Sequence, residues 1–199
     1  MKATHRADLF CWSVFNEEKN IDFNGWVWVR PQGNIVIDPM PLCDHDWAHL
    51  ESLGGAAWVV VTNSDHTRAA TAVCERFGAQ LAGPAGEQSD FALPVDRWLQ
   101  DGDPLVPGLL ALALQGSKTP GELALLLEDS TLITGDLVRA HRAGSLMMLP
   151  DPKLTDKAAA CASVQRLADL PGIQAVLVGD GWPVFRDGGA LLRELAQTI

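Results

Sequence analysis

The chain has 199 residues, 47% of them apolar and 20% charged, with 18 Gly and 12 Pro. That is ordinary globular composition, long enough to bury a core without disulfide or metal staples, and it suits one domain over residues 1–199. A net charge of −10 and a pI near 4.8, with no basic run, exclude nucleic acid as a partner held through its phosphates.

The first dozen residues carry charges and no apolar run or small-residue cleavage site, so no leader is expected. Two apolar, β-branched or aromatic runs, 26–29 and 34–38, flank turn chemistry at Pro31-Gln32-Gly33 and read as strands. A helix over 44–52 stops at Gly54-Gly55. A strand at 56–62 feeds a helix at 67–77 closed by Gly78, and a short strand follows at 80–83. Asp101-Gly102-Asp103-Pro104 and Pro107-Gly108 punctuate the middle. Three short strands come next at 109–114, 123–127 and 131–134, then a helix at 155–170, a strand at 173–178 and a terminal helix at 188–199. Strands in runs interleaved with helices predict an α/β or α+β layered fold. No stretch reaches membrane-spanning length. Cys11, Cys43, Cys74 and Cys161 are scattered without a C-x-x-C pair and read as small buried apolar residues in a reducing, cytoplasmic setting.

Four apolar runs each lead into an aspartate: 35–38 into Asp38, 59–65 into Asp65, 132–136 into Asp136 and 175–180 into Asp180. Ligand sites of layered α/β proteins gather at the carboxyl ends of strands. Each Asp taken alone has a plain structural reading as a turn former or helix cap. Taken together they repel: two unit charges about 4 Å apart cost roughly 4 kcal/mol at an effective dielectric near 20. A converging set therefore calls for a cation or a shared proton.

Several short segments, in order, resemble the metallo-β-lactamase fold superfamily. The junction 61–66 (VTNSDH) resembles its H-x-H-x-D-H loop, and 34–39 (NIVIDP) its strand ending in Asp. Segment 117–122 (SKTPGE) resembles G-H-T-P-G-S, 133–137 (ITGDL) resembles T-G-D-x-L, and 178–181 (VGDG) resembles the final G-H-G. The resemblance runs from about residue 20 to about residue 185 and implies a four-layer αββα sandwich. By position, the family's first metal site would fall on Val61, Asn63 and Lys118, where three histidines are expected, so that site is read as lost. The second would fall on Asp65, His66, Asp136 and Asp180, all able to ligate: a hard, anionic set suited to Mn²⁺, Fe²⁺ or Mg²⁺, with Zn²⁺ also open.

Two accounts follow. In the first, one divalent metal on Asp65, His66, Asp136 and Asp180 activates water or polarises an ester, thioester or phosphoester of a small-molecule substrate. Lys118 then stabilises developing charge and Asn63 orients the substrate or the water, with Asp65, Lys118 and Asn63 as the catalytic set. In the second there is no metal. Lys118 supplies the cation for Asp136, His66 is a hydrogen-bonding core histidine, the cleft is a binding site or structural remnant, and loss of Lys118 strands buried carboxylates. Both leave a homo-oligomer open.

Other signals are weaker. His45-Asp46-Trp47-Ala48-His49 mimics H-E-x-x-H, but its acid is Asp and no third ligand follows, so surface or half-buried helix residues are expected. Arg139, His141 and Arg142 form the only locally basic patch, read as a solvated loop, with contact to an anionic substrate group as the alternative. Trp12, Trp26 and Trp28 are expected in the core or over the cleft, and Trp182 lining the site or packed in the core. There is no G-x-S-x-G, P-loop or G-x-G-x-x-G.

Overall fold

The structure is a computed structural model that describes residues 1–199. Its first sheet has seven strands in chain order: β1 (Lys2–Ala3), β2 (Leu9–Asn16), β3 (Ile21–Trp28), β4 (Ile35–Ile37), β5 (Trp58–Val60), β6 (Gln80–Pro84) and β7 (Arg97–Leu99). β1 to β4 pair antiparallel, and β4 to β7 pair parallel. The remaining strands are β8 (Pro104–Val106), β9 (Leu109–Ala113), β10 (Leu123–Leu127), β11 (Thr131–Thr134), β12 (Val138–Arg142), β13 (Ser145–Met148) and β14 (Ala175–Val178). The second sheet runs β14-β11-β10-β9-β8, with β11 and β14 parallel, while β12 and β13 form a separate hairpin.

Strands β4, β10, β11 and β14 are buried along their whole length. They read as continuous apolar runs because one face meets the other sheet and the opposite face meets helices. Trp26, Ile35, Leu99, Leu125, Ile133 and Leu177 fill the space between the sheets. Val36, Val59 and Leu81 on the outer face of the first sheet meet Leu50 of helix α1 (Asp44–Ser52) and Val73 of α2 (Ala70–Phe77). Leu132 and Val176 of the second sheet meet Val164 and Leu167 of α3 (Lys157–Ala168) and Leu192 of α4 (Gly188–Thr198). The result is the expected αββα sandwich, and no helix is long and apolar enough to cross a membrane.

Several boundaries and placements differ from the sequence reading, each for a local reason. The strand expected over 56–62 ends at Val60, because the next amides turn to other partners: Val61 N–H bonds the Ala82 carbonyl and Thr62 N–H bonds the Asp38 carboxylate. The helix expected from 67 starts at Ala70. Residues Ser64–His66 form a 3₁₀ turn instead, and Arg68 adopts a left-handed backbone with φ +30°. Segment 138–142 is not a solvated loop but strand β12, with Arg139 only 6% exposed. Cys43 is exposed rather than buried, and the other three cysteines are half-buried. Trp12, Trp26 and Trp28 are buried as expected, whereas Trp182 is 59% exposed. His45 and His49 lie on α1, His45 exposed and His49 half-buried with its ring edge-on to Phe10.

Candidate functional site

The carboxylates gather because of the parallel pairs. β4 and β5 are neighbours in one sheet and β11 and β14 in the other, so Asp38, residues 62–66, Asp136 and Asp180 all leave strand ends on one edge of the sandwich. Close backbone approach is needed there. A side chain at Gly135 would stand 2.8 Å from Thr62 Oγ1 and 3.0 Å from Asn63 Nδ2. Gly181, at φ +96°, lies against the Ala140 carbonyl, where a Cβ would collide. Asn24 clamps the Asp180 turn by donating to the Val178 and Gly181 carbonyls, both at 2.9 Å.

An alternating row of charges occupies the edge. Asp38 Oδ1 accepts Thr62 N–H at 2.8 Å, and its Oδ2 accepts the Thr62 hydroxyl at 2.6 Å and His66 Nδ1–H at 2.8 Å. His66 Nε2 faces Asp136 Oδ1 at 3.7 Å. Arg139 Nη2 then spans two carboxylates, 3.1 Å from Asp136 Oδ1 and 2.9 Å from Asp180 Oδ2. Arg139 Nε–H donates to the Asp136 carbonyl at 3.2 Å. His141 Nε2 ends the row 3.3 Å from Asp180 Oδ2. His66, Asp136, Arg139 and Asp180 are all buried.

The charges set one another. Burial pushes the His66 imidazole down, but Asp38 and Asp136 outweigh it and raise it to about 9, so it is an imidazolium at neutral pH. Burial opposes ionisation of Asp136, yet His66, Arg139 and Lys118 together hold it far below the usual carboxylate range. Behind the row, burial first and Asp136 second push the Glu122 carboxyl up to about 7. Its oxygens accept Leu137 N–H at 2.8 Å and the Ser117 hydroxyl at 2.5 Å.

Not all of the expected site residues meet. His66, Asp136 and Asp180 present ligand atoms within 4.8 Å of one another. Asp65 stands apart: its exposed carboxylate pairs with Lys118, whose Nζ lies 4.0 Å from Asp136 Oδ2. Asn63 does not face the cleft. It is fully buried and its Oδ1 accepts Asp65 N–H at 3.0 Å, capping the 3₁₀ turn. Ser64 N–H bonds Glu87 at 2.7 Å, which anchors the same turn. Trp182 sits next to the Asp180–Gly181 turn, directed to solvent.

Arg139 and Asp38 lie outside the ligand and catalytic sets that the sequence suggests, yet both belong to the charged row. Both left a trace. Arg139 sits between Val138 and Ala140 in an alternating run three residues after Asp136, and Asp38 is the acid that ends β4.

The row opens into a cleft of about 540 Å³ whose walls include Phe23, Lys118 and Arg139, with Lys19, Arg68 and Lys153 around them. Five Lys or Arg face three Asp there, a local excess of positive charge on a chain of net charge −10.

Two sheets back to back, helices outside and a polar cleft at the strand ends define a metallo-β-lactamase-like αββα protein. A family model described as the metallo-beta-lactamase superfamily matches residues 1–199, and the chain belongs to that superfamily. A hydroxyacylglutathione hydrolase of Rhizobium etli is 31% identical over 123 residues, covering 59% of this chain but 44% of the relative, so the match spans less than half of that enzyme. Among solved structures, the DIM-1 metallo-beta-lactamase superposes with a TM-score of 0.74 at 18% identity, covering 97% of this chain and 94% of its own. TTHA1623 in a di-iron-bound form superposes at 0.71 with 23% identity, covering 94% of this chain and 100% of its own. At these identities the structural likeness is one of fold.

Proposed function

We propose that this chain uses the superfamily cleft as a metal-independent binding site for a small organic anion. The observation that carries the reading is Arg139. Its guanidinium bridges Asp136 and Asp180, supplying between those carboxylates the positive charge that a divalent ion would otherwise bring. Two further observations support it. His66 Nδ1 is held by Asp38 at 2.8 Å and its Nε2 faces Asp136, so the imidazole has carboxylate partners on both sides without an ion. Asp65, the fourth ligand that the family pattern suggests, is engaged with Lys118. As arranged, these residues fit a resident metal poorly, because Arg139 already holds one oxygen of Asp136 and one of Asp180 and sets its positive charge against an incoming ion.

The arrangement offsets most of its own charge without an ion: Arg139 serves Asp136 and Asp180, and Lys118 serves Asp65 with Asp136 nearby. The cleft's remaining cations are then left to meet an anionic ligand. In thermal unfolding, chelator-treated protein titrated with citrate should gain stability as RT ln(1 + [L]/Kd) prescribes. A gain that appears only once a divalent ion is added would contradict the reading.

A second reading has its own support. Asp136 Oδ2 and Asp180 Oδ1 are buried with no hydrogen-bond partner, and such orphaned carboxylate oxygens suit a cation. In that reading His66, Asp136 and Asp180 hold one divalent ion after Arg139 moves out, and the protein is a metal-dependent hydrolase of a small ester or thioester. Stoichiometric metal after purification without chelators would favour it.

A further inference from the structure

The ion pairs inside the cleft leave three of its cations over. Lys19, in the turn joining β2 and β3, Arg68, two residues past His66, and Lys153, at the end of the 3₁₀ turn Asp151–Lys153, all face the cleft. None of the three side chains makes an ion pair, whereas Lys118 and Arg139 do.

Arg68 is the least ordinary of them. Its Nη1 is shut away from solvent and has no acceptor. A guanidinium N–H held out of water without a partner is costly, roughly 1–3 kcal/mol. Its backbone sits at φ +30°, a region that residues with a side chain rarely adopt, and such strain gathers at ligand sites. Arg68 and Lys19 also both pack on the Phe23 ring, with centroid distances of 5.4 Å and 5.0 Å. Each gains from the ring, but two cations on one phenyl group repel each other unless an anion joins them.

We infer that Arg68, Lys19 and Lys153 form an oxyanion subsite at the mouth of the cleft for the phosphate dianion of a small organic phosphate. The inference rests on the metal-independent binding reading above and specifies its ligand. Arg68, whose guanidinium has an N–H without an acceptor, and the two lysines all line the cleft and supply the charge that holds the anion. Three unpaired cations exceed what one carboxylate balances and favour a doubly charged phosphate with its additional acceptor oxygens. Phe23, between Lys19 and Arg68, offers an apolar face to the organic part of the ligand.

The test is calorimetric titration of the full chain, chelator-treated, with phenyl phosphate and with benzoate. Arg68→Gln and Lys153→Gln are compared with wild type and with Arg76→Gln, which removes a cation from α2 outside the cleft. Phenyl phosphate should bind wild type and Arg76→Gln alike. It should bind about 10-fold or more weakly to each cleft variant, the loss expected for one charge-assisted hydrogen bond or close ion pair. Benzoate should be the weaker ligand of wild type. Unchanged phenyl phosphate affinity in both cleft variants overturns the subsite while leaving the metal-independent reading intact, since the anion then sits on Lys118. Benzoate binding as tightly as phenyl phosphate overturns the phosphate class. Binding that requires an added divalent ion, or no binding to wild type at all, overturns both. Thermal melts confirm that each variant is folded, which is expected because Arg68 Nη1 has no acceptor to lose and Arg68→Gln gives up only the packing on Phe23.

Discussion

The cleft holds two kinds of ion pair a few ångströms apart, and they do different work. On one side, Lys118 and Asp65 pair in the open, their side chains 42% and 45% exposed. On the other, Arg139 joins Asp136 and Asp180 where side-chain exposure is 7%, 8% and 4%. An exposed pair is screened by water and salt and contributes about 0–1 kcal/mol. A buried pair gains little over an apolar replacement, yet losing one partner strands the other charge at a cost of about 3–5 kcal/mol. The buried side therefore maintains the structure of the site, and the exposed side is free to exchange partners with a ligand.

The largest expected effect breaks the buried side. Arg139→Ala should lower unfolding free energy by about 3–5 kcal/mol in urea denaturation, because two buried carboxylates lose their shared cation. A loss under about 1 kcal/mol would mean that the carboxylates are already served by something else, and a metal would be the candidate. Next is Asp38→Ala, which removes the acceptor for Thr62 N–H, the Thr62 hydroxyl and His66. Stranding these donors should cost on the order of 2–4 kcal/mol in the same measurement.

The pH dependence separates the two sides further. His66 is raised to about 9 in the folded protein from 6.5, so its contribution to stability is complete below about 6.5 and is lost as pH rises through about 9. Stability of the wild type should therefore fall across pH 6.5–9, and His66→Asn should flatten that slope. A wild-type slope of the opposite sign would show that the imidazole is neutral. The smallest effect belongs to the exposed side. Lys118→Ala should change stability by no more than about 1 kcal/mol, and the change should shrink with added salt. The sequence alone assigned Lys118 the buried role that the structure gives to Arg139.

That exchange shows what was legible and what was not. The layered fold and the four aspartates that follow apolar runs could be read because apolar runs and turn residues are written locally along the chain. The ring of Asp38, His66 and Asp136 was half legible: the residues stood out, but their partners depend on which strands become neighbours. Arg139 was hidden because a charge among apolar residues looks the same whether it points to water or across a sheet edge. Asp65 passed as a metal ligand because its position in the motif fits. Only the three-dimensional placement of Lys118, from a loop more than fifty residues away, draws it out of the cluster. Asn63 likewise has suitable chemistry for the cleft, yet its turn-capping hydrogen bond turns it inward.

On the metal-independent reading proposed above, Arg139 takes the place of a metal between Asp136 and Asp180. The most direct measurement is elemental analysis of protein purified without chelators and then equilibrated with Mn²⁺, Fe²⁺ or Zn²⁺, followed by thermal melting of the same samples. With Arg139 in that place, the protein should hold far less than one ion per chain and melt at a temperature indifferent to each metal. One ion per chain, with a raised melting temperature that Asp136→Asn abolishes, would contradict that reading.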